Sequence, residues 1–370
     1  MKYTSYDNRK LLLTLLFASC LITSCKKESL YSPNRATEIV HLPIADTIIG
    51  NDINTNILCP HEIECIDSVL VVLNNQSGAY ICIVDMKQDS VISQFGALGR
   101  AKNEFLDFPK IVYNDKDEGG NISLFCPDLL KSTTKVINLK ESIAKGICCI
   151  EREIKHEKEG IAYKTFFING NKSITRQDLT YDDPRDNIFY PPCFFITDGR
   201  KRIDIDTYPN VMESDNPSLL FMTYADILKV SPDKTRLLQV FNCIDLFNVI
   251  DINNESVFGF MGEGAYSFEN IQAMTDMEVA LEKMRLYNQD VCVTNDIILM
   301  LRDERPVRES ESEDSSSCSI LRIYDWKGNP ITAYRFDRQL QRIAYSEKFK
   351  VLYGLDAEGR IFKYDMKQIN

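Results

Sequence analysis

The chain of 370 residues is 44% hydrophobic and 26% charged, the balance of an ordinary globular protein. Its formal net charge of −11 repels polyanions, which excludes nucleic acid and anionic headgroups as electrostatic partners. The 12 Cys show no paired CxxC spacing and there are only 3 His, so a structural zinc site has no ligand pattern to rest on.

In chain order, the first element is an address rather than a structural one. Lys2, Arg9 and Lys10 precede a mostly apolar run over 11–22, too short to span a bilayer and of the length of a signal-peptide core. Ile22-Thr23-Ser24-Cys25 follows and resembles the bacterial lipobox, an aliphatic residue and two small ones before cysteine. The resemblance implies cleavage between Ser24 and Cys25 and acylation of the Cys25 thiol and its new amino group, palmitate being the expected kind of chain. More than one chain is needed for firm anchoring. The expected organisation is therefore a signal peptide over 1–24, a lipid-bearing tether over 25–35 and one domain over 36–370. The mature chain keeps 40 Lys+Arg against 53 Asp+Glu, a net −13, so lipid and not charge would hold it to the membrane. No later segment is long and apolar enough for a second span.

From Ile39 onward short β-branched or aromatic runs alternate with turn residues, as at 68–73, 79–85, 91–95, 121–126, 237–241, 296–301, 320–325, 331–336, 351–355 and 361–365. Such spacing indicates an all-β sandwich, barrel or propeller. A repeat separates these. YICIVDMKQDSVISQF at 80–95, DLFNVIDINNESVFGF at 245–260 and LRIYDWKGNPITAYRF at 321–336 each place a strand ending in aspartate before a second strand, and RIFKYDMKQ at 360–368 starts a fourth copy. Each reads as the outer hairpin of a four-stranded blade in which Asp85, Asp251, Asp325 or Asp365 opens the turn. VSPDKTRLLQVF at 230–241 and RIAYSEKFKVLYGLD at 342–356 read as inner hairpins, and about six blades fit. A strand over 38–43 is expected to complete the last blade and close the ring.

The segment FGALGRAKNEFLDFPKI at 95–111 resembles the inter-blade segment of NHL-related six-bladed propellers through Gly96, Gly99, Glu104, Phe105 and Pro109, while Arg100 to Asn103 depart from it. With the lipobox, the chain resembles the six-bladed NHL/TolB-like β-propeller lipoproteins of Gram-negative anaerobes. That resemblance implies an all-β, six-bladed propeller of four-stranded antiparallel blades, in the cell envelope and on the outer membrane.

Three stretches depart from the repeat. Apolar residues at 274, 277, 281 and 284, with Thr275 and Glu278 as a capping box, predict one helix over 274–287. ESESEDSSSCS at 309–319 reads as a solvated acidic loop in the fifth blade. YDDPRDNIFYPPCFF at 181–195 clusters aromatics with prolines and reads either as a surface groove for a sugar or peptide or, the favoured reading, as a wide loop into the next blade with Phe194 and Phe195 starting a buried strand. Trp326, in the turn after Asp325, is expected to be partly exposed. Several cysteines, such as Cys82 and Cys292, lie in apolar runs and are expected to act as small buried hydrophobes. Asp46-Thr47-Ile48, Asp67-Ser68-Val69 and Asp89-Ser90-Val91 resemble the three-residue acceptor for bacterial protein O-glycosylation, which makes Thr47, Ser68 and Ser90 candidate modification sites.

No nucleophile elbow, zincin or phosphate-loop signature is present, and no catalytic residue is assigned. The expected function is a binding module for a peptide, a glycan or a partner protein of the envelope, with no cofactor. The alternative is a lactonase- or lyase-like enzyme with Ca2+ or another divalent ion in the central channel, whose oxygens Glu104, Asn114, Asn295 and Asp296 would supply. A carboxylate and amide lining would favour the enzyme, and an aromatic or apolar lining the receptor.

Overall fold

Runs such as VLVVL in blade one carry no polar alternation, the pattern of a strand covered on both faces. The computed structural model shows why. It describes residues 36–75, 78–156, 163–177, 193–205, 207, 222, 224–262, 277–306 and 318–367. Six antiparallel four-stranded sheets follow one another along the chain. Blade one contains Pro60–Ile66, Val69–Asn74, Ile81–Asp85 and Ser90–Phe95. Blade two contains Tyr113–Lys116, Ile122–Asp128, Thr133–Asn138 and Ile150–Lys155, and blade three Tyr163–Phe167, Lys172–Gln177, Cys193–Asp198 and Lys201–Ile205. Blade four is Asp226–Val230, Arg236–Phe241, Leu246–Asp251 and Ser256–Gly262. Blade five is Arg285–Val293, Ile297–Pro306, Ile320–Asp325 and Pro330–Phe336. Blade six takes Arg342–Ser346, Val351–Leu355 and Ile361–Asp365 from the chain's end and Asn51–Asp52 from its beginning.

The core lies between consecutive blades rather than in one centre. In blade one, Leu70 and Val72 pack with Ala344 and Tyr353 of blade six, while Val71 and Leu73 pack with Leu124 and Ile137 of blade two. Leu299 and Leu321 meet Leu352 and Phe362 between blades five and six, and Leu238 and Val249 meet Ile298 and Met300 between blades four and five. Nine cysteines among the described residues are free thiols; Cys82, Cys126, Cys148, Cys243 and Cys292 are buried among these apolar side chains.

The turn aspartates do what their position requires. Asp85 Oδ1 accepts the Lys87 and Gln88 amides, Asp251 Oδ1 those of Asn253 and Asn254, and Asp325 Oδ1 those of Lys327 and Asn329. Asp365 Oδ1 accepts the Lys367 amide. At the other end of the blade, Gly96 has φ 88°, a left-handed turn that starts the connection to blade two. There Ala97–Leu98 pairs in parallel with Glu104–Phe105, and buried Lys135 donates to the Glu104 carbonyl and ion-pairs with Asp128 at 3.2 Å.

Ring closure differs from the expectation for 38–43. Thr37–Ile39 pairs in parallel with Phe260 to Gly262 on the outer edge of blade four. Asp46–Ile48 pairs in parallel with Tyr334 to Phe336 on blade five, and Asn51–Asp52 pairs antiparallel with Phe362 and Lys363 to complete blade six. Residues 37–52 thus form a strap across three blade edges, and His41 sits in the seam between blades four and five. His41 Nε2 lies 2.6 Å from Asp245 Oδ2, its Nδ1 2.9 Å from the Tyr324 hydroxyl, and Arg302 Nη1 donates to Asp245 Oδ1 at 2.8 Å. Arg322 Nη1 donates to the Leu42 carbonyl. A Cβ on Gly262 would meet Asp245 Oδ2 at 2.0 Å and His41 Nε2 at 2.8 Å, so a side chain there must displace one of them.

Two helices are described. The first, α1 at Leu139–Lys145, was not legible in the sequence; Asn138 caps it by accepting the Glu141 amide, and Gly146 ends it at φ 66°. The second, α2, spans Met277–Lys283. The helix expected over 274–287 ends sooner, since Arg285–Val293 pairs with the next strand. Residues 274–276 lie outside the described residues, as do 309–317 and 181–192. Trp326 is buried, contrary to expectation: its Nε1 donates to the Thr294 carbonyl and the Arg236 guanidinium lies 4.4 Å from its ring.

Candidate functional site in the central channel

Six inner strands surround the hub and run in one direction. Their early residues line a wide mouth of about 800 Å3, and their later residues a narrow mouth of about 270 Å3. His61 and Glu62 of blade one face the wide mouth and Cys65 the narrow one; Asp226 and Leu228 of blade four precede Val230 in the same way. All six blades contribute to the wide mouth, including Lys110, Lys164, Gln289 and Arg342.

The two cavities meet at Glu64 and Lys229. These residues come from blades one and four, opposite members of a ring of six, and Lys229 Nζ donates to Glu64 Oε2 at 2.6 Å. The channel is therefore crossed at its waist by an ion pair. Burial alone would lower the Lys229 ammonium, but Glu64 and Asp290 outweigh it and hold the amine well above the usual lysine range. The narrow side has a second cross-hub contact, Lys234 to Asp115 at 2.7 Å.

Carboxyls on the wide side are under-compensated. Burial raises Glu62 to about 7, Lys229 opposing this and the charges of Glu64 and Asp290 adding to it. Asp290 is raised by burial too, although Lys229, Arg342 and the Ile343 and Val291 amides favour its charged form. His61 is lowered by burial and by Arg342 and Lys110. Perturbed titrating groups in a cleft of this size mark the wide mouth as the candidate site. Its lining is neither an aromatic bowl nor a ring of carboxylates and amides, but a mixture of both charges on an apolar wall that includes Phe166, Leu228 and Leu286.

The residues named from sequence do not assemble there. Glu104 Oε2 accepts the Ala101 amide within the connection between blades one and two. Asn114 lines the narrow mouth, Asn295 Oδ1 accepts the Asp233 amide in a turn-to-turn contact, and Asp296 borders a separate surface hollow with Thr294 and Lys350. Among the described residues no group of three or more His, Cys, Asp or Glu is spaced to hold a metal ion. Ser24 and Cys25 lie outside the described residues. Thr47 is exposed on the strap, Ser90 is exposed at the start of an outer strand, and Ser68 is half-buried in an inner-hairpin turn. Glu62, Glu64, Lys229, Asp290 and Arg342 were missed. A local signal was present for the two glutamates: HEIEC places them at alternate positions of a strand, interleaved with Ile63 and Cys65.

Among curated proteins none matches this chain. A protein of Bacteroides fragilis NCTC 9343 described as exported superposes at a TM-score of 0.52 and 11% identity, over 89% of this chain and 98% of the other. A member of the DUF4221 family from Bacteroides vulgatus ATCC 8482 does so at 0.55 and 14% identity, over 87% and 96%. At such identities the likeness concerns the fold. Residues 45–348 match the sequence profile described as TolB-like 6-blade propeller-like, and since they make up most of the chain, it belongs to the TolB-like six-blade propeller family.

Proposed function

We propose that this propeller is a lipid-anchored binding module of the cell envelope whose wide mouth takes a polar, charge-bearing ligand such as a peptide or glycan, free or on a partner protein. The observation that carries the reading is the mouth of about 800 Å3, bounded at its waist by the Glu64–Lys229 pair and presenting charged side chains from opposite sides of the hub. Cavities that combine an apolar wall with a few convergent polar groups are how folds of this kind hold small ligands. The signal-peptide and lipobox pattern around Cys25 supports attachment to the outer membrane, and the exported Bacteroides protein of like fold supports a place outside the cytoplasm.

Thermal-shift screening of the intact chain against envelope glycans and short peptides, repeated on Leu228→Trp, tests the site. A ligand that raises Tm in the native chain and not in the variant supports it; ligands that act equally on both overturn it. Intact mass of protein extracted from membranes tests the anchor: a species beginning at Cys25 with added acyl mass is expected, and an unacylated one rejects it.

A further inference from the structure

We propose that the side of the wide mouth formed by blades five, six and one is a subsite for a primary ammonium group, held by the Glu62 and Asp290 carboxyls and the Gln289 side-chain carbonyl. The inference rests on the reading of this mouth as a ligand site and names the chemistry the ligand brings.

Three observations support a cationic donor. Glu62 accepts no hydrogen bond from the described residues, and the cation acting most strongly on it, Lys229, is already engaged by Glu64 at 2.6 Å. Gln289, on the lining of the wide mouth, donates through Nε2 to Asp303 Oδ2 at 3.3 Å, while its Oε1 is buried without a partner. Asp290 takes one backbone amide on each oxygen, from Val291 and Ile343, which leaves a lone pair on each. Acceptors therefore outnumber donors on this wall. The groups that face Glu62 are Glu64 on its own strand, Lys229 of blade four, Asp290 of blade five and Arg342 of blade six; Arg342 Nη1 is turned to the Gln341 carbonyl.

An ammonium group supplies three donors in a compact tetrahedron and a charge of the sign that relieves the repulsion among Glu62, Glu64 and Asp290. A carboxylate guest would find cations at Lys110 and Lys164 on blades two and three, yet it would leave every open acceptor on the opposite wall unmet. The volume of about 800 Å3 admits a sugar ring or a short peptide behind the amine.

The same chemistry comes from a peptide N-terminus or an amino sugar, and paired probes separate them. Calorimetry of the intact chain at pH 7 with triglycine amide, N-acetyl-triglycine amide, glucosamine and N-acetylglucosamine is the test. The free amine of one pair is expected to bind roughly tenfold or more tighter than its acetylated partner, the yield of one charge-assisted hydrogen bond, and the responding pair identifies the source. Binding should release protons from Glu62, read as a dependence of the heat on the buffer's ionisation enthalpy; Glu62→Gln removes this release, leaving only the small uptake by the fraction of amine that is neutral at pH 7, and removes most of the affinity without lowering Tm. Equal binding of free and acetylated forms, or no binding by any of the four, overturns the ammonium subsite. Binding of acetylated probes that Leu228→Trp abolishes would leave the wider ligand reading standing.

Discussion

Replacing Asp245 with Asn removes the countercharge from the seam between blades four and five while keeping its shape. Arg302 is 1% exposed and Asp245 6% exposed, so water cannot take the place of the lost charge. Breaking a buried ion pair on one side costs about 3–5 kcal/mol, and the amide still accepts from Arg302, which favours the lower half of that range. At a melting entropy of roughly 0.7 kcal/mol/K for a domain of this size, the variant should melt about 4–6 °C lower at pH 7. The pH dependence follows from the sign. Although burial disfavours its charge, Arg302 and His41 hold the Asp245 carboxyl well below the usual carboxylate range. Its contribution is therefore complete above the unfolded carboxyl's value near 4, and it is lost as pH falls from there toward the folded value. The gap between native and variant Tm should stay constant from pH 7 to about pH 4 and shrink below it. A loss under about 1 kcal/mol at pH 7, or a gap that widens in acid, would refute the assignment of this cluster as the fastener of the strap.

Glu62→Gln should leave Tm unchanged at pH 4, where folded and unfolded carboxyls are both largely protonated, and raise it at pH 8, where only the native chain bears the cost of a charge whose folded value is about 7; differential scanning calorimetry at the two pH values checks this. Asp325→Ala removes the acceptor of three hydrogen bonds, from the Lys327 and Asn329 amides and Asn329 Nδ2, and should cost about 1–2 kcal/mol in denaturant unfolding, as should Asp251→Ala in the equivalent turn of blade four. Trp326, the sole tryptophan, should emit as a buried indole and shift to the red in one step with global unfolding. Gly262→Ala should destabilise by about 1–3 kcal/mol, read by thermal melting, because its methyl group would displace Asp245 or His41.

Blade architecture was legible because its signals are local. The aspartate that ends the third strand of a blade accepts amides two to four residues on, and strands covered on both faces read as unbroken apolar runs. What escaped depends on contacts between distant parts of the chain. Arg285 to Tyr287 continue a helical apolar pattern, yet pairing with the strand that ends at Pro306 takes them into a sheet. The seven residues of α1 are too few to show a period. Turn composition around Trp326 suggested exposure, whereas residues distant in sequence, Arg236 and Thr294 among them, bury the ring in the core between blades four and five. Glu64 and Lys229 stand 165 residues apart, so no local pattern could pair them across the hub.

The strap also sets an order of events during synthesis. Thr37 must wait for Phe260, and Asn51 for Lys363, before either finds the backbone partners it has in the native sheet. The first strands to emerge are thus among the last to be satisfied, in a topology already slowed by distant pairings. Until the final blade arrives, those early segments and the bare sheet edges awaiting them can zip onto a second copy as readily as onto their own ring, so newly made chains at high concentration should be prone to swapping the strap over residues 37–52.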